Sequence, residues 1–137
     1  MGISLSAVEG KNTLHILKIE GDLDAINYRQ VITTVQEAYN AGAQDLIVDM
    51  SELKFMASSG LVALHSIALI MQGTQPPDPE HGWEAFHSIQ RDVENKKQEH
   101  VTLVNPQPLI YKTLVKSGFS ELFYIKDDID SAINSIT

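Results

Sequence analysis

Residues 46–71 read LIVDMSELKFMASSGLVALHSIALIM, a short apolar run followed by a long apolar segment. The run 46–50 is too apolar for an edge strand, which predicts a central strand covered on both faces of a sheet. The segment 58–71 is predicted to be a helix that is apolar almost all the way round. A helix on one face of a sheet needs only one apolar stripe. Part of this surface is therefore either deeply covered or open to a partner, with Val62 or Leu69 as candidates for exposure.

The flanking sequence places further strands and helices around this centre. Alternating apolar residues predict an N-terminal hairpin over 3–7 and 14–19, broken at Gly21-Asp22-Leu23-Asp24. Helical spacing then indicates a helix from Tyr28 that ends near Gly42. Beyond residue 100 the pattern predicts a strand at 101–104, a helix from Pro108 to Gly118, a strand at 122–125 and a helix at 129–136.

This alternation of strands and helices is typical of an α/β fold. Helices between successive strands imply parallel crossovers, so we expect a mixed, mostly parallel sheet packed against helices. A chain of 137 residues is the size of one domain, and we assign all of residues 1–137 to it. Residues 73–99 form an insertion, predicted to be a proline-rich loop followed by a small amphipathic helix.

The composition excludes several classes of function. The chain has 10 basic and 18 acidic residues, a formal net charge of -8, and no basic cluster that suits a phosphate backbone or an anionic membrane surface. It has no cysteine. No apolar run approaches the ~20 residues of a membrane span, and the N-terminus lacks a signal-peptide pattern. We therefore expect a soluble cytoplasmic protein without a nucleic-acid or membrane partner.

Catalytic and metal-binding patterns are weak in this sequence. No two histidines have the helical spacing of a metal-binding pair, so we predict no metal and no cofactor. Asp22 and Asp24 suit the capping of a helix better than acid–base chemistry. Ser58 and Ser59 lack the glycines of a nucleophile elbow, so we predict that the protein is not an enzyme.

Two stretches resemble the STAS domain family, whose best-studied members are anti-sigma factor antagonists of bacteria. The first is Gly21-Asp22-Leu23-Asp24, and the second is Asp49-Met50-Ser51-Glu52-Leu53-Lys54-Phe55-Met56-Ala57-Ser58-Ser59-Gly60-Leu61. The resemblance extends along residues 3–72 and 101–136. It implies a fold of the same α/β class.

The resemblance also implies a phosphorylation switch. In antagonists, the serine that matches Ser58 is phosphorylated by an anti-sigma factor with serine kinase activity, and a phosphatase restores the active form. The unphosphorylated form binds the anti-sigma factor and releases the sigma factor. The resemblance places Asp22 and Asp24 on the binding face, and we add Ser59 and Gly60 to the candidate partner-binding residues.

Several alternatives remain open at this stage. The family usually has an aspartate directly before the phosphorylated serine, where this chain has Ala57. A second hypothesis is therefore a non-switching STAS scaffold or subunit of a stress-sensing or transporter complex. A third is a ligand-sensing module or small enzyme. Capping of the helix is the alternative role for Ser58 and Ser59, and close packing or clearance for a partner are the alternatives for Gly60.

Overall fold

Six strands and five helices make up the part of the chain that the computed structural model describes, which is residues 2–8, 10–73 and 98–136. The strands are β1 Gly2–Val8, β2 Lys11–Leu23, β3 Asp45–Asp49, β4 Leu53–Met56, β5 Gln98–Val104 and β6 Phe123–Lys126. The helices are α1 Tyr28–Asn40, α2 Ser58–Met71, α3 Pro108–Ser117, α4 Phe119–Leu122 and α5 Ile129–Ile136.

The strands form one mixed sheet in the order β1-β2-β3-β5-β6, with β4 beside the end of β2. β1 and β2 pair antiparallel, and the other pairs are parallel. The predicted hairpin, helical crossovers and mixed, mostly parallel sheet are thereby confirmed. None of the described helices has the length and apolar character needed to cross a bilayer.

Helices cover both faces of the sheet. On one face α1 and α2 pack against alternate residues of the strands, including Leu17 and Val48. On the other face Ala132 of α5 packs with Leu14, Ile47 and Val104. Because adjacent strand residues point to opposite faces, β3 is buried on both sides, and its residues 46–48 are fully buried. The prediction of a central strand is therefore confirmed.

The predicted strand break at residues 21–24 is wrong. β2 continues to Leu23, and its pairing with β4 shifts register between Gly21 and Asp22. Gly21 has a φ of 86°, a conformation that glycine adopts without steric cost. The pattern that indicates a turn therefore belongs to a β-bulge. β4 itself escapes prediction because Lys54 and Phe55 in its middle are both exposed.

Helix α2 is buried around most of its circumference. The prediction that Val62 is exposed is wrong, since only 7% of its surface is accessible, while Leu69 is half-buried. The unusual apolar character of this helix is therefore explained mainly by deep cover. Only Ser58, at its first position, is exposed within the helix.

The C-terminal third follows the predicted order, with small differences at the boundaries. Helix α3 begins at Pro108 and ends before Gly118, whose φ of 84° is the left-handed conformation of a glycine cap. The four-residue helix α4 is not predicted. Of the predicted loop and amphipathic helix of residues 73–99, residues 74–97 lie outside the described residues, and Gln98 and Glu99 belong to β5 and not to the insertion.

Helix α5 starts with the acidic cap that the sequence indicates. Asp128 accepts a hydrogen bond from the Ser131 backbone N–H at 2.7 Å. This bond and a second one from the Ser131 side chain lower the pKa of the Asp128 carboxyl. The cap fixes the end of the helix that covers the second face of the sheet.

Candidate functional site

The two stretches quoted for the family resemblance lie side by side in the structure. Asp22 is opposite Phe55, and Leu23 is opposite Met56, in the parallel pairing of β2 with β4. The Ala57 backbone N–H then donates a hydrogen bond of 2.9 Å to the Leu23 carbonyl oxygen. Since parallel strands end at the same edge of a sheet, the loop after β2 and the start of α2 form one surface.

Ser58 and Ser59 point in different directions although they are adjacent. Ser58 is the first residue of α2 and is exposed. The Ser59 hydroxyl oxygen is inaccessible and has no hydrogen-bond partner among the described residues. A binding partner can therefore reach Ser58 without disturbing the helix, whereas the Ser59 side chain would first have to turn outward.

Neither serine caps the helix. The residue at the N-cap position is Ala57, which has extended backbone angles of φ -81° and ψ 176° and no side-chain oxygen. The proposed capping role of Ser58 and Ser59 is therefore wrong, because the helix begins at Ser58, one residue earlier than a cap at Ser58 requires. The first turn of α2 also contains no acidic residue. Its free backbone N–H groups and its partial positive charge are left without an acidic neighbour in that turn.

We expect Ala57→Asp to raise the free energy of unfolding by about 1 kcal/mol. The backbone at position 57 already has the conformation of a cap, so a carboxylate there can accept a hydrogen bond from the first turn. Urea denaturation at neutral pH measures the change. Ala57→Asn is the matched control, since it caps without adding charge. Stabilisation by Asp alone would assign the gain to charge, and no gain in either variant would contradict the capping argument.

Gly60 is a point of close packing. It is buried, and a β-carbon at this position would overlap Met56 Cγ and lie 3.2 Å from Leu23 Cγ. The start of α2 therefore contacts the ends of both strands with no room for a side chain. This supports the close-packing role for Gly60. The close contact also fixes the position of Ser58, two residues earlier, relative to the sheet.

The two aspartates have different local roles. Asp24 Oδ1 accepts a hydrogen bond of 2.9 Å from the Ile26 backbone N–H, so Asp24 caps the turn before α1. The N-cap of α1 itself is Asn27. The capping interpretation is thus correct for the turn but not for the helix. Asp22 is exposed at the end of β2, where its carboxylate can face a partner.

Two exposed apolar residues of the segments that precede α1 and α2 are missing from the sequence-based candidates. Ile26 lies in the turn after Asp24 with 93% of its surface exposed, and Phe55 on β4 is 47% exposed. The sequence signal for the exposure of Ile26 is its position between Asp24 and Asn27, which are residue types that favour turns. From the sequence alone, Phe55 is expected to be a core residue. Its exposure becomes evident only in the structure, where it lies on β4.

The described residues also form a cleft that lies away from Ser58. This cleft, of about 560 Å³, is lined by residues of β3, β5, β6 and α5, among them Asp45 and His100. It lies towards the opposite end of the parallel strands from Ser58. Within residues 2–8, 10–73 and 98–136, no three histidine or acidic side chains are grouped as metal ligands.

Comparison with known proteins finds a family model that matches about half of the chain. Residues 6–72 match the model of the STAS domain. This range includes both quoted stretches and every candidate site residue. No curated protein sequence matches the chain.

Solved structures with the same fold cover nearly the whole chain. A putative anti-sigma factor antagonist from Thermotoga maritima has a TM-score of 0.71 at 15% identity, over 98% of this chain and 93% of that protein. The Bacillus cell fate determinant SpoIIAA in its phosphorylated form has a TM-score of 0.64 at 18% identity, over 99% and 100%. SpoIIAA in its unphosphorylated form gives 0.63 at 18% identity, over 98% and 97%. At these identities the likeness establishes the fold.

Proposed function

We propose that the protein is a STAS-domain anti-sigma factor antagonist controlled by phosphorylation of Ser58, a proposal supported by the match of residues 6–72 to the model of the STAS domain. In the unphosphorylated form it binds an anti-sigma factor that has serine kinase activity, and the sigma factor is released. Phosphorylation of Ser58 ends that binding, and a phosphoserine phosphatase restores it. The protein acts by binding and not as an enzyme.

The observation that carries the proposal is the contrast between the two serines. Ser58 is exposed at the start of α2, directly beside the end of β2, while the Ser59 hydroxyl is buried. SpoIIAA, which shares the fold, has been solved in phosphorylated and unphosphorylated forms. The fold therefore tolerates a phosphate in at least one of its members.

The electrostatics at Ser58 suit a reversible phosphate. A phosphoserine adds about -1.5 to -2 charges, and the start of a helix offers free N–H groups and positive potential to receive them. The same charge opposes a partner surface that fits a neutral hydroxyl, and the exposed Asp22 adds to the negative potential. Phosphorylation thus alters recognition while the helix remains in place.

Ala57 affects this balance in two ways. Where the resemblance leads us to expect an aspartate, this chain has a neutral methyl group one residue before Ser58. The missing negative charge makes a phosphate at Ser58 easier to accommodate. It also removes a carboxylate beside Ser58 from the surface available for recognition by a kinase. The presence of Ala57 therefore favours the scaffold as the second candidate function.

Phosphate mapping decides between the two candidates. Wild-type protein, Ser58→Ala and Ser59→Ala are each incubated with ATP and every purified anti-sigma factor of the serine-kinase type from the same genome, followed by phosphopeptide mass spectrometry. We expect phosphate on Ser58 in the wild type and in Ser59→Ala, and none in Ser58→Ala. Absence of phosphate from all three, with kinases that modify another substrate, would favour the scaffold. Phosphate on Ser59 would reject our assignment of the site.

A further inference from the structure

The cleft beside α5 has the size of a site for a small molecule. Its volume of about 560 Å³ lies within the usual range of ligand pockets. Residues of β3, β5 and β6 line it together with Ser135 and Ile136 of α5. Because size alone does not define a site, the polar groups of the lining decide what this cleft can bind.

An irregularity in the sheet lies beside this cleft. The pairing of β5 with β6 passes from Gln98 opposite Phe123 directly to Thr102 opposite Tyr124. Residues 99–101 of β5 therefore face a single step of β6, which is the geometry of a bulge. His100, within this bulged segment, lines the cleft. Bulges redirect side chains and are frequent beside functional sites.

Thr102 supplies a hydroxyl group without a partner. It alternates with Val101 and Leu103, which belong to the core under α1 and α2, so its side chain lies on the face that α5 covers. Only 3% of Thr102 is accessible, yet it lines the cleft. Its hydroxyl takes part in no hydrogen bond among the residues that the structure describes. So enclosed a hydroxyl costs free energy unless it is hydrogen-bonded, and a ligand in the cleft can supply the acceptor.

Lys126 supplies a positive charge without a counter-ion. It lies opposite Val104 in the pairing of β5 with β6, two residues after Tyr124. Side chains two residues apart on a strand share a face, so Lys126 and Tyr124 lie on the same side of the sheet as Thr102. Lys126 is half-buried, and its ammonium group forms no ion pair with any described residue. A partly buried ammonium group in this situation favours an anion beside it.

The two carboxylates of the lining do not supply that anion. Asp45 Oδ1 lies 3.1 Å from His100 Nδ1, so the imidazole N–H donates a hydrogen bond to this carboxylate. Glu99 is exposed, and the alternation of β5 places it on the opposite face from Thr102. The cleft therefore offers a ligand one hydroxyl and one ammonium group, with the apolar side chain of Ile136 also in its lining.

We propose that this cleft binds a small organic molecule that carries an oxyanion group on an apolar body. The carboxylate or phosphate oxygens of the ligand accept hydrogen bonds from the Lys126 ammonium group and the Thr102 hydroxyl. Its apolar part contacts Ile136 and the ring of Tyr124. The site is separate from Ser58, so this inference does not depend on the proposed function and goes beyond it.

NMR titration of the isotope-labelled protein tests the site with three probes. Benzoate and phenyl phosphate carry an oxyanion group on an aromatic body, and benzyl alcohol is an uncharged molecule of similar size. We expect both anions to shift the backbone resonances of Thr102, Tyr124 and Lys126, and benzyl alcohol to bind at least tenfold more weakly than the better anion. Tighter binding of benzoate would assign the ligand to the carboxylates, and tighter binding of phenyl phosphate would assign it to the phosphate monoesters.

Substitutions assign the binding to named groups. We expect Lys126→Met to weaken the binding of the better anion at least tenfold, and Thr102→Val to weaken it at least fivefold. Thr102→Ser keeps the hydroxyl and should remain within twofold of the wild type. Lys116→Met is the matched control, since it removes the same charge from an exposed position on α3 and should bind like the wild type. Thermal unfolding checks that each variant keeps its fold.

Four results would overturn this inference. They are equal affinity for benzyl alcohol and the anions, wild-type affinity in Lys126→Met, resonance shifts that leave the three cleft residues unaffected, and no binding of either anion up to its solubility limit. None of these results bears on the phosphate mapping at Ser58, so the proposed function is tested independently.

Discussion

Ser58→Glu is expected to bind its anti-sigma factor at least a hundredfold more weakly than the wild-type protein, with no loss of thermal stability. A hundredfold change corresponds to about 2.7 kcal/mol of binding free energy. The new carboxylate stands at the exposed first position of α2, where a neutral hydroxyl is the expected contact of the partner. A negative charge at the start of a helix stabilises the helix, so we expect no decrease in the thermal stability of the protein.

Titration calorimetry and thermal unfolding measure the two halves of this expectation. Ser58→Gln is the matched control, since its side chain has nearly the size of glutamate without the charge. We expect it to bind substantially better than Ser58→Glu. If both variants lose binding equally, side-chain size and not charge governs the contact, and the electrostatic account of the switch is wrong.

Gly60→Ala is expected to lower the free energy of unfolding by about 1–3 kcal/mol, the usual effect of overpacking a core. In an exposed helix the same substitution stabilises by up to about 1 kcal/mol, so the sign distinguishes the two situations. Here the added methyl group would overlap Met56 Cγ and approach Leu23 Cδ2 to 3.3 Å. Met56 and Leu23 are buried and have little room to move.

A double-mutant cycle with Met56→Ala provides the control, with stability measured by urea denaturation. Shortening Met56 removes the atom that the new methyl group meets. The two substitutions should therefore be less costly together than the sum of their separate effects, by about 1 kcal/mol or more. Stabilisation by Gly60→Ala alone, or strict additivity in the cycle, would contradict the close packing and favour clearance for a partner as the role of Gly60.

The fold was largely predictable because its centre is strongly patterned. A run as apolar as residues 46–48 has few places to lie other than a strand covered on both faces, and the structure buries all three completely. Local turn signals were less reliable. Gly21 and Asp22 indicate a turn when read alone, but the pairing with β4 converts them into a bulge within a longer strand. That pairing joins Gly21 to Leu53 and Asp22 to Phe55, which are 32 and 33 positions further along the chain, and it leaves no local pattern.

The proximity of the candidate residues was predictable, but the orientation of their side chains was not. The family resemblance singles out Asp22, Asp24 and Ser58 as candidates, and the structure places their segments at one edge of the sheet. The sequence did not reveal that the Ser59 hydroxyl points inward, because successive residues of a helix differ by about 100° and the start of α2 was uncertain by one residue. The exposure of Ile26 depends on hydrogen bonds within the turn that composition does not encode.

The close packing of α2 against the ends of β2 and β4 has a consequence for the rate at which a signal is transmitted. Gly60 leaves no space between the helix and the side chains of Leu23 and Met56, and Ser58 is already exposed, so a phosphate can be added to Ser58 without movement of the helix. Under the proposed function, nothing has to rearrange before the modified surface is read. The response time is then set by the turnover of the kinase and the phosphatase, and not by a conformational relaxation of microseconds to milliseconds within this protein.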